Sequence, residues 1–402
     1  MTCRSTLSCV LLTGILAAIP SAEGAGGAGG SGGFLRGDAN VDGNVDISDP
    51  VRILVELFTA PGSPLECTKA ADANDDDALD VADAVTLLSF LFQGAASIPA
   101  PFPDCGDDPN STLTCASYAP CSGPPAGVVP AGWIHGSTSC ATTSDPDVQV
   151  QAYDENTFIL RQSMCDTFEG PFLYLLFGSD TVLLLDSGAV SSPNTSAVQA
   201  TVQGVVNQWL TDHGQASIDL VVAHTHSHGD HTAGDGQFIG QPNTTVVGTS
   251  LSAVTSFFGI TNWPTEIVCY DLGGRILEIV PIPGHESRSI AVYDSQTGIL
   301  LTGDTLYPGF LFVFGQSNWN TNKLSIARLT TFALARSITH VLGTHVEMTA
   351  VPGVAYPYGT SYQPNEHPLA LDLSHLLELN DALQLLPSPV NQVHDDFIIT
   401  GQ

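Results

Sequence analysis

Hydrophobic positions fall into three regimes along the chain. Cys9–Ile19 is a short apolar run of Val, Leu, Ile and Ala, well below the ~20 residues a membrane-spanning helix needs. Further on, Val51, Leu54, Leu57 and Phe58 step by three and four, and Val85, Leu88, Leu91 and Phe92 repeat the pattern. That spacing predicts two amphipathic helices. From about residue 127 the apolar residues gather into short, nearly continuous runs: Thr181–Leu185, Asp219–Ala223, Ile279–Pro283, Gly298–Leu301 and Thr339–Leu342. Runs of this length predict buried strands. Val198–Leu210, between the first two, has helical spacing. Strands interleaved with helices predict an α/β domain over residues 127–402.

The N-terminus changes the picture by adding a leader. Arg4 precedes the first apolar run, and Ser21-Ala22-Glu23-Gly24-Ala25 follows with small residues where a peptidase could cut. Residues 1–24 therefore read as a signal peptide and 25–33 as a Gly-rich linker, which predicts a secreted, extracellular protein. The charge balance narrows the partners. Among 402 residues, 41 Asp+Glu face 10 Lys+Arg, a net −31. So few cations cannot neutralise a row of phosphates or dock on anionic lipid, which excludes nucleic acid and membrane surfaces. Of nine cysteines, Cys3 and Cys9 leave with the leader. Cys67, Cys105, Cys115 and Cys121 crowd one region with no CxxC pair, which points to disulfides. The expected pairs are Cys67–Cys105 and Cys115–Cys121.

Ahead of each amphipathic helix lies an acidic loop, and the two loops match with an offset of 34 residues. The first offers Asp38, Asn40, Asp42, Asp46 and Asp49 as side-chain ligands and the carbonyl of Asn44, with Gly43 at the tight turn. The second offers Asp72, Asn74, Asp76, Asp80 and Asp83 with the carbonyl of Ala78, and Asp77 replaces the glycine. Oxygen donors at positions 1, 3, 5, 7, 9 and 12 suit a hard cation, which predicts two calcium ions. This arrangement resembles a dockerin, a paired calcium-loop module, over residues 34–121 including its Cys-containing tail. The resemblance implies a small all-α, EF-hand-like domain and a cohesin-type protein partner. Loop positions 10 and 11, often a Ser/Thr pair in dockerins, are here Ile47-Ser48 and Val81-Ala82.

The strand following Asp219 runs into His224-Thr-His226-Ser-His228-Gly-Asp230-His231. Period-two geometry throws His226 and His228 to one side, and Gly229 permits a turn that brings Asp230 and His231 in from another. Three further strands end at Gly284-His285, at Thr302-Gly303-Asp304 and at Gly343-Thr344-His345. Imidazoles and carboxylates converging from several strand ends are the donor set of a hydrolytic zinc site. The motif is similar to that of the metallo-β-lactamase fold superfamily over about residues 130–350. The resemblance implies an αββα four-layer sandwich with one metal on His226, His228 and His285. A second metal falls to Asp230, His231 and His345, and Asp304 bridges the two. Asp186, in Leu-Asp-Ser-Gly, matches the family's acid that orients a ligand imidazole. The implied ions are two zinc, with iron or manganese as substitutes. Two cations ~3.5–4 Å apart can share a hydroxide and polarise the carbonyl it attacks.

The substrate is less sharply marked. Asp304 aligns the chain with the glyoxalase II-like, lactonase-like and phosphodiesterase-like branches, because true β-lactamases of the superfamily lack that bridging acid. The chain holds only Lys69 and Lys323 as lysines, a poor endowment for glutathione carboxylates. Tyr307, three residues after Asp304, has the Asp-x-x-Tyr spacing of lactonases, where the phenol holds the carbonyl oxygen; packing beside Pro308 is the alternative. Asp230 and Tyr307 are thus the candidate catalytic side chains. Arg288 is open to two readings, an anion binder or a surface ion pair. Pro352–Pro368 reads either as a pocket rim or as an inert connection. The expected activity is hydrolysis of a carboxylic ester, lactone or thioester. Small-molecule phosphodiester hydrolysis and a non-catalytic attachment protein are the alternatives.

Overall fold

The computed structural model describes residues 33–41, 45–58, 65–93, 97–102, 106–108, 110–115, 118 and 128–402. The signal-peptide assignment, Asp42, Gly43, Asn44, Cys105 and Cys121 lie outside the described residues. Two compact units separate near Pro124.

In the first unit, helices α1 (Ser48–Phe58) and α3 (Val81–Gln93) follow the two acidic loops, with the short α2 (Thr68–Ala71) between them. The helices pack through Ile53 and Leu87, both fully buried with Ala71, Ala73 and Ala84. The apolar stripe read from the sequence is only partly the core stripe. Val51 and Val85 are 52% and 54% exposed, and Phe58 and Phe92 are each 70% exposed. Arg36 is buried with each guanidinium nitrogen hydrogen-bonded to oxygen: Ala100 O, Asp72 O and the Asp108 carboxylate. Cysteine pairing departs from the expectation, since Cys67 bonds to Cys115. These two face each other across an antiparallel bridge, and Thr68 N–H donates to Thr114 O at 2.8 Å. Backbone pairing thus overrode proximity in sequence. A second disulfide, Cys140–Cys165, lies in the other unit.

The second unit holds two six-stranded sheets. One contains, in spatial order, β1 (Val148–Asp154), β2 (Thr157–Gln162), β3 (Phe172–Phe177), β4 (Thr181–Leu185), β5 (Asp219–Ala223) and β6 (Thr244–Val246). The other is built from β7 (Val268–Asp271), β8 (Ile276–Pro281), β9 (Ile290–Asp294), β10 (Ile299–Gly303), β12 (His340–Gly343) and β13 (Ala370–Leu371). Helix α4 (Val198–His213) packs Val198, Val202 and Trp209 on the outer face of the first sheet. Helices α8 (Gln316–Ala333) and α9 (Leu373–Leu385) cover the second sheet through Trp319, Ile326, Leu329 and Leu379. Between the sheets, Ile159, Tyr174 and Leu183 meet Ile279, Val292 and Leu301. Helix, sheet, sheet and helix therefore stack as four layers. Short helices α5 (Gly229–Thr232), α6 (Asp235–Phe238) and α7 (Leu251–Phe258) and a small sheet of β11 (Phe310–Val313), β15 (Ile398–Gly401) and β14 (Asn391–Val393) complete the unit.

Leu301 is 1% exposed in the inter-sheet core, and Leu324 on α8 is 69% exposed. Leu301→Ala is expected to lower unfolding free energy by ~2–5 kcal/mol through the cavity it leaves. Leu324→Ala should change it by less than ~0.5 kcal/mol. Urea unfolding followed by fluorescence checks both.

Candidate metal centre

The ends of two parallel strand pairs build the site. Leu185 of β4 lies beside Ala223 of β5, so Asp186 and the His224–His231 run leave the first sheet at one edge. Gly303 of β10 lies beside Gly343 of β12, which sets Asp304 next to Thr344 and His345. Gly303 adopts φ +55°, and a Cβ there would come within 2.8 Å of Thr225 Cβ, so only glycine fits this turn. Backbone bonds tie the sheets together at the same edge: Ile290 N–H donates to Thr225 O, and Phe172 N–H to Thr344 O, each at 2.8 Å. The short helix α5 turns Asp230 and His231 back towards the other donors.

Two groups of donor atoms result. His226, His228, His285 and Asp304 form one, and Asp230, His231, Asp304 and His345 the other, with the donor atoms of each within 4.8 Å of one another. Asp304 serves both. Its Oδ1 is 3.3 Å from His231 Nε2 and 3.4 Å from His345 Nε2. Its Oδ2 is 3.6 Å from His285 Nε2 and 3.7 Å from His226 Nε2. All seven side chains expected at the metals are thus brought together.

The outer partners of the rings reveal what the centre lacks. His231 Nδ1–H donates to Asp186 Oδ2 at 2.9 Å, His285 Nδ1–H to Phe312 O at 2.8 Å, and His345 Nδ1–H to Glu169 O at 3.0 Å. A carbonyl or carboxylate oxygen can only accept, so each neutral ring turns an Nε2 lone pair inwards. The His231 lone pair meets Asp230 Oδ2 at 3.1 Å as well as Asp304, and this buried nitrogen has no hydrogen-bond partner. In the first group, His228 Nδ1 is 2.9 Å from His226 Nε2 and 3.0 Å from His285 Nε2. Lone pairs and carboxylates at these separations repel unless positive charge lies among them. Imidazole and carboxylate are also the donors that divalent zinc prefers. The residues fit a pair of divalent ions.

Titration behaviour points the same way. Burial disfavours charge on His231, yet Asp304 and Asp186 outweigh it and hold its pKa well above the usual range. Burial likewise opposes charge on His345, but Asp304 and Asp230 raise its pKa to about 10. In His226 and His285 burial prevails and lowers the pKa. Burial favours the neutral acid of Asp304, but His231, His345 and His226 pull its pKa well below the carboxylate range. Without metal, then, protons supply the cation that the second group demands.

Asp186 is where the sequence pattern put the orienting acid. It is fully buried at φ +71°, with Oδ1 accepting from Thr225 N–H and Oδ2 from Thr225 Oγ1–H, each at 2.8 Å. Thr344 Oγ1–H donates to Asp304 Oδ1 in the same supporting manner. Tyr307 is buried, with its ring 5.6 Å from that of His345. Its hydroxyl donates to Phe310 O at 2.5 Å, so holding an oxyanion would require that proton to leave Phe310. His224 Nε2 pairs with Asp235 at 2.8 Å, apart from the ligands. Arg288 forms an ion pair with Glu286 at 2.8 Å, which settles it as a structural cation.

Above the donors opens a cavity of about 530 Å³. Sequence reasoning missed most of its wall. Glu169 and Glu347 line it, and burial pushes the Glu169 pKa up to about 7 and that of Glu347 upwards as well. Tyr358, from the Pro352–Pro368 stretch, also lines it, so that stretch is a pocket rim. The alternation of Phe310, Phe312 and Phe314, which line it too, was visible in the sequence and is the signal that could have found this wall.

Residues 167–336 match the model of the metallo-beta-lactamase superfamily, a span that includes Asp304 and ends short of His345. A hydroxyacylglutathione hydrolase from Synechococcus sp. is 28% identical over 123 residues, covering 29% of this chain and 47% of its own length. Another from Marinomonas sp. is 28% identical over 181 residues, covering 40% of this chain and 63% of its own. The chain spans about half the length of the curated relatives it matches. A solved metallo-beta-lactamase from Pontibacter korlensis aligns at 18% identity with a TM-score of 0.40, covering 60% of this chain and 100% of that one.

Asp186→Asn should weaken metal affinity by about 10–100-fold, because a single amide oxygen cannot accept from both Thr225 N–H and His231 Nδ1–H. Since His345 keeps its proton up to about pH 10 in the metal-free site, an entering ion must displace that proton. Affinity should therefore rise with pH, by up to about tenfold per unit for each proton displaced. Competition against a chelator across pH 6–9 (an assay range, roughly that of stable protein) measures both effects.

Proposed function

We propose a secreted, binuclear metal-dependent hydrolase of carboxylic esters, lactones or thioesters, a reading supported by the match of residues 167–336 to the metallo-beta-lactamase superfamily model. The observation that carries the proposal is the single carboxylate of Asp304 presenting one oxygen to each of two donor groups. Secretion is supported by the apolar run and small-residue site within residues 1–24.

His226, His228 and His285 would hold one zinc ion, Asp230, His231 and His345 the other, and Asp304 both. When bound, the ions supply Lewis acidity and a water-derived nucleophile at neutral pH. The chain's own groups do the rest. Asp186 keeps the proton on His231 Nδ1, and the carbonyls of Phe312 and Glu169 do the same for His285 and His345. The inner nitrogens of these three rings are thereby aimed before substrate arrives, and this preorganisation avoids reorganisation during reaction. The relatives named above are hydroxyacylglutathione hydrolases, which supports acyl rather than phosphoryl transfer.

For the N-terminal unit, a calcium-loaded, dockerin-like role with a cohesin-type partner is supported by the two loops having one frame. Asp49 accepts from Ala39 and Asp46 N–H at 2.9 and 2.8 Å, and Asp83 from Ala73 and Asp80 N–H, each at 2.9 Å. Burial raises both carboxyls to about 6, a cost that a cation would remove. Asp77 takes φ +64° where a glycine is usual, and aspartate tolerates that region. Among the described residues, no three acidic side chains of these loops gather within 4.8 Å, so an ion would have to draw them together. The paired exposed residues Val51/Val85 and Phe58/Phe92 supply apolar surface for a partner.

Zinc-loaded protein is expected to turn over members of an ester, lactone and thioester panel and to lose that activity on chelation. Exclusive turnover of phosphodiesters would contradict the proposal. A calcium-specific chelator should lower the melting temperature of the N-terminal unit without touching ester turnover. Melting indifferent to calcium would refute the loop assignment.

A further inference from the structure

The cavity above the donor groups is chemically lopsided. In β11, Leu311 and Val313 pack into the core beside Trp319 and Ile399. A strand alternates its side chains, so Phe310, Phe312 and Phe314 emerge on the opposite side and line the cavity. They form a continuous ladder. Phe310 and Phe312 have ring centroids 5.9 Å apart, and Phe312 and Phe314 stack at 5.8 Å with planes 11° apart. Tyr358 meets Phe312 edge-on at 6.2 Å. Phe314 and Tyr358 are 50% and 65% exposed, an apolar mouth that solvent would not select without an occupant.

No lysine or arginine lines this cavity, and none from residues 128–402 is at liberty to enter it. Arg161 pairs with Glu366, Arg275 with Asp294, Arg288 with Glu286 and Arg336 with Glu278. Arg328 donates to Pro281 O and Lys323 to Leu386 O. Beyond the ligands themselves, the polar part of the wall carries the carboxyls of Glu169 and Glu347 and the neutral Asn391 and Thr400. An anionic arm entering here would lose hydration and find no counter-charge outside the ion-binding groups. An aryl or alkyl arm would cover ring faces now open to water.

We propose that the site selects substrates whose non-reacting arm is uncharged and apolar, an aryl or medium alkyl chain lying along the Phe310–Phe312–Phe314 ladder, and discriminates against arms bearing a carboxylate. The proposal rests on the hydrolytic reading above, and its test separates the two. The full zinc-loaded chain is given methyl 4-phenylbutanoate and the same ester with a carboxylate on its ring. The neutral ester should have a kcat/KM about 30-fold higher or more, mostly through KM. Phe314→Ala and Tyr358→Ala, each at a half-exposed position that folding tolerates, should raise KM for the neutral ester by about tenfold and shrink the gap.

Calorimetry with 4-phenylbutan-1-ol and its ring carboxylate gives a readout without turnover. The neutral alcohol should bind about tenfold more tightly, and Phe314→Ala should erase the difference. Equal kcat/KM values for the two esters, or tighter binding of the carboxylate, would overturn the inference and leave hydrolysis standing. Turnover of neither ester with the binding preference intact would instead sink the hydrolytic reading and uphold the pocket's selectivity.

Discussion

Lone pairs aimed at carboxylates are the constraint around which this structure is organised. His231 Nε2, locked inwards by Asp186, lies 3.1 Å from Asp230 and 3.3 Å from Asp304 in a fully buried setting. Such an array is not a stable arrangement of neutral rings and anions, and it must gain positive charge. Protons meet the demand in the metal-free chain, which is why His345 titrates so high. Divalent ions meet it in the way that also creates reactivity. The same electrostatics that gather the donors make the centre favour cations.

Everything around the centre serves to hold those atoms at one edge. Parallel pairing of β4 with β5 and of β10 with β12 delivers four chain segments to neighbouring positions. The inter-sheet core of Leu183, Ile279 and Leu301 keeps the two edges together, and two cross-sheet backbone bonds pin them next to the donors. A displacement of one sheet past the other would separate the halves of the site, because His226, His228, Asp230 and His231 come from the first sheet's loops and His285, Asp304 and His345 from the second's. Packing density in such cores resists that slip.

The candidate metal site was legible in the sequence because its chemistry is dense. Three imidazoles and a carboxylate between His226 and His231 have few other uses, and His285, Asp304 and His345 each follow an apolar strand. Strands were legible for the same reason, with β4 and β5 beginning and ending where the hydrophobic runs do, and β8, β10 and β12 displaced by one to three residues. What escaped was whatever depends on chain segments meeting in space. Glu169 reaches His345 through its backbone carbonyl, an interaction no side-chain pattern announces. Cys67 found Cys115 rather than Cys105 because an antiparallel bridge brought distant segments together. Helical spacing marked Val51 and Val85 as core, yet spacing alone cannot tell which side of a helix its neighbour covers; Ile53 and Leu87 are the covered ones.

Asp304 is the hinge of the account, since one carboxylate is assigned to two ions. Native mass spectrometry of the metal-free chain titrated with zinc tests this most directly. Two zinc increments of high affinity are expected in the second unit, and Asp304→Ala should weaken both together by about tenfold or more, as loss of a ligand shared by both demands. A single increment, or two that Asp304→Ala leaves untouched, would contradict a shared binuclear centre.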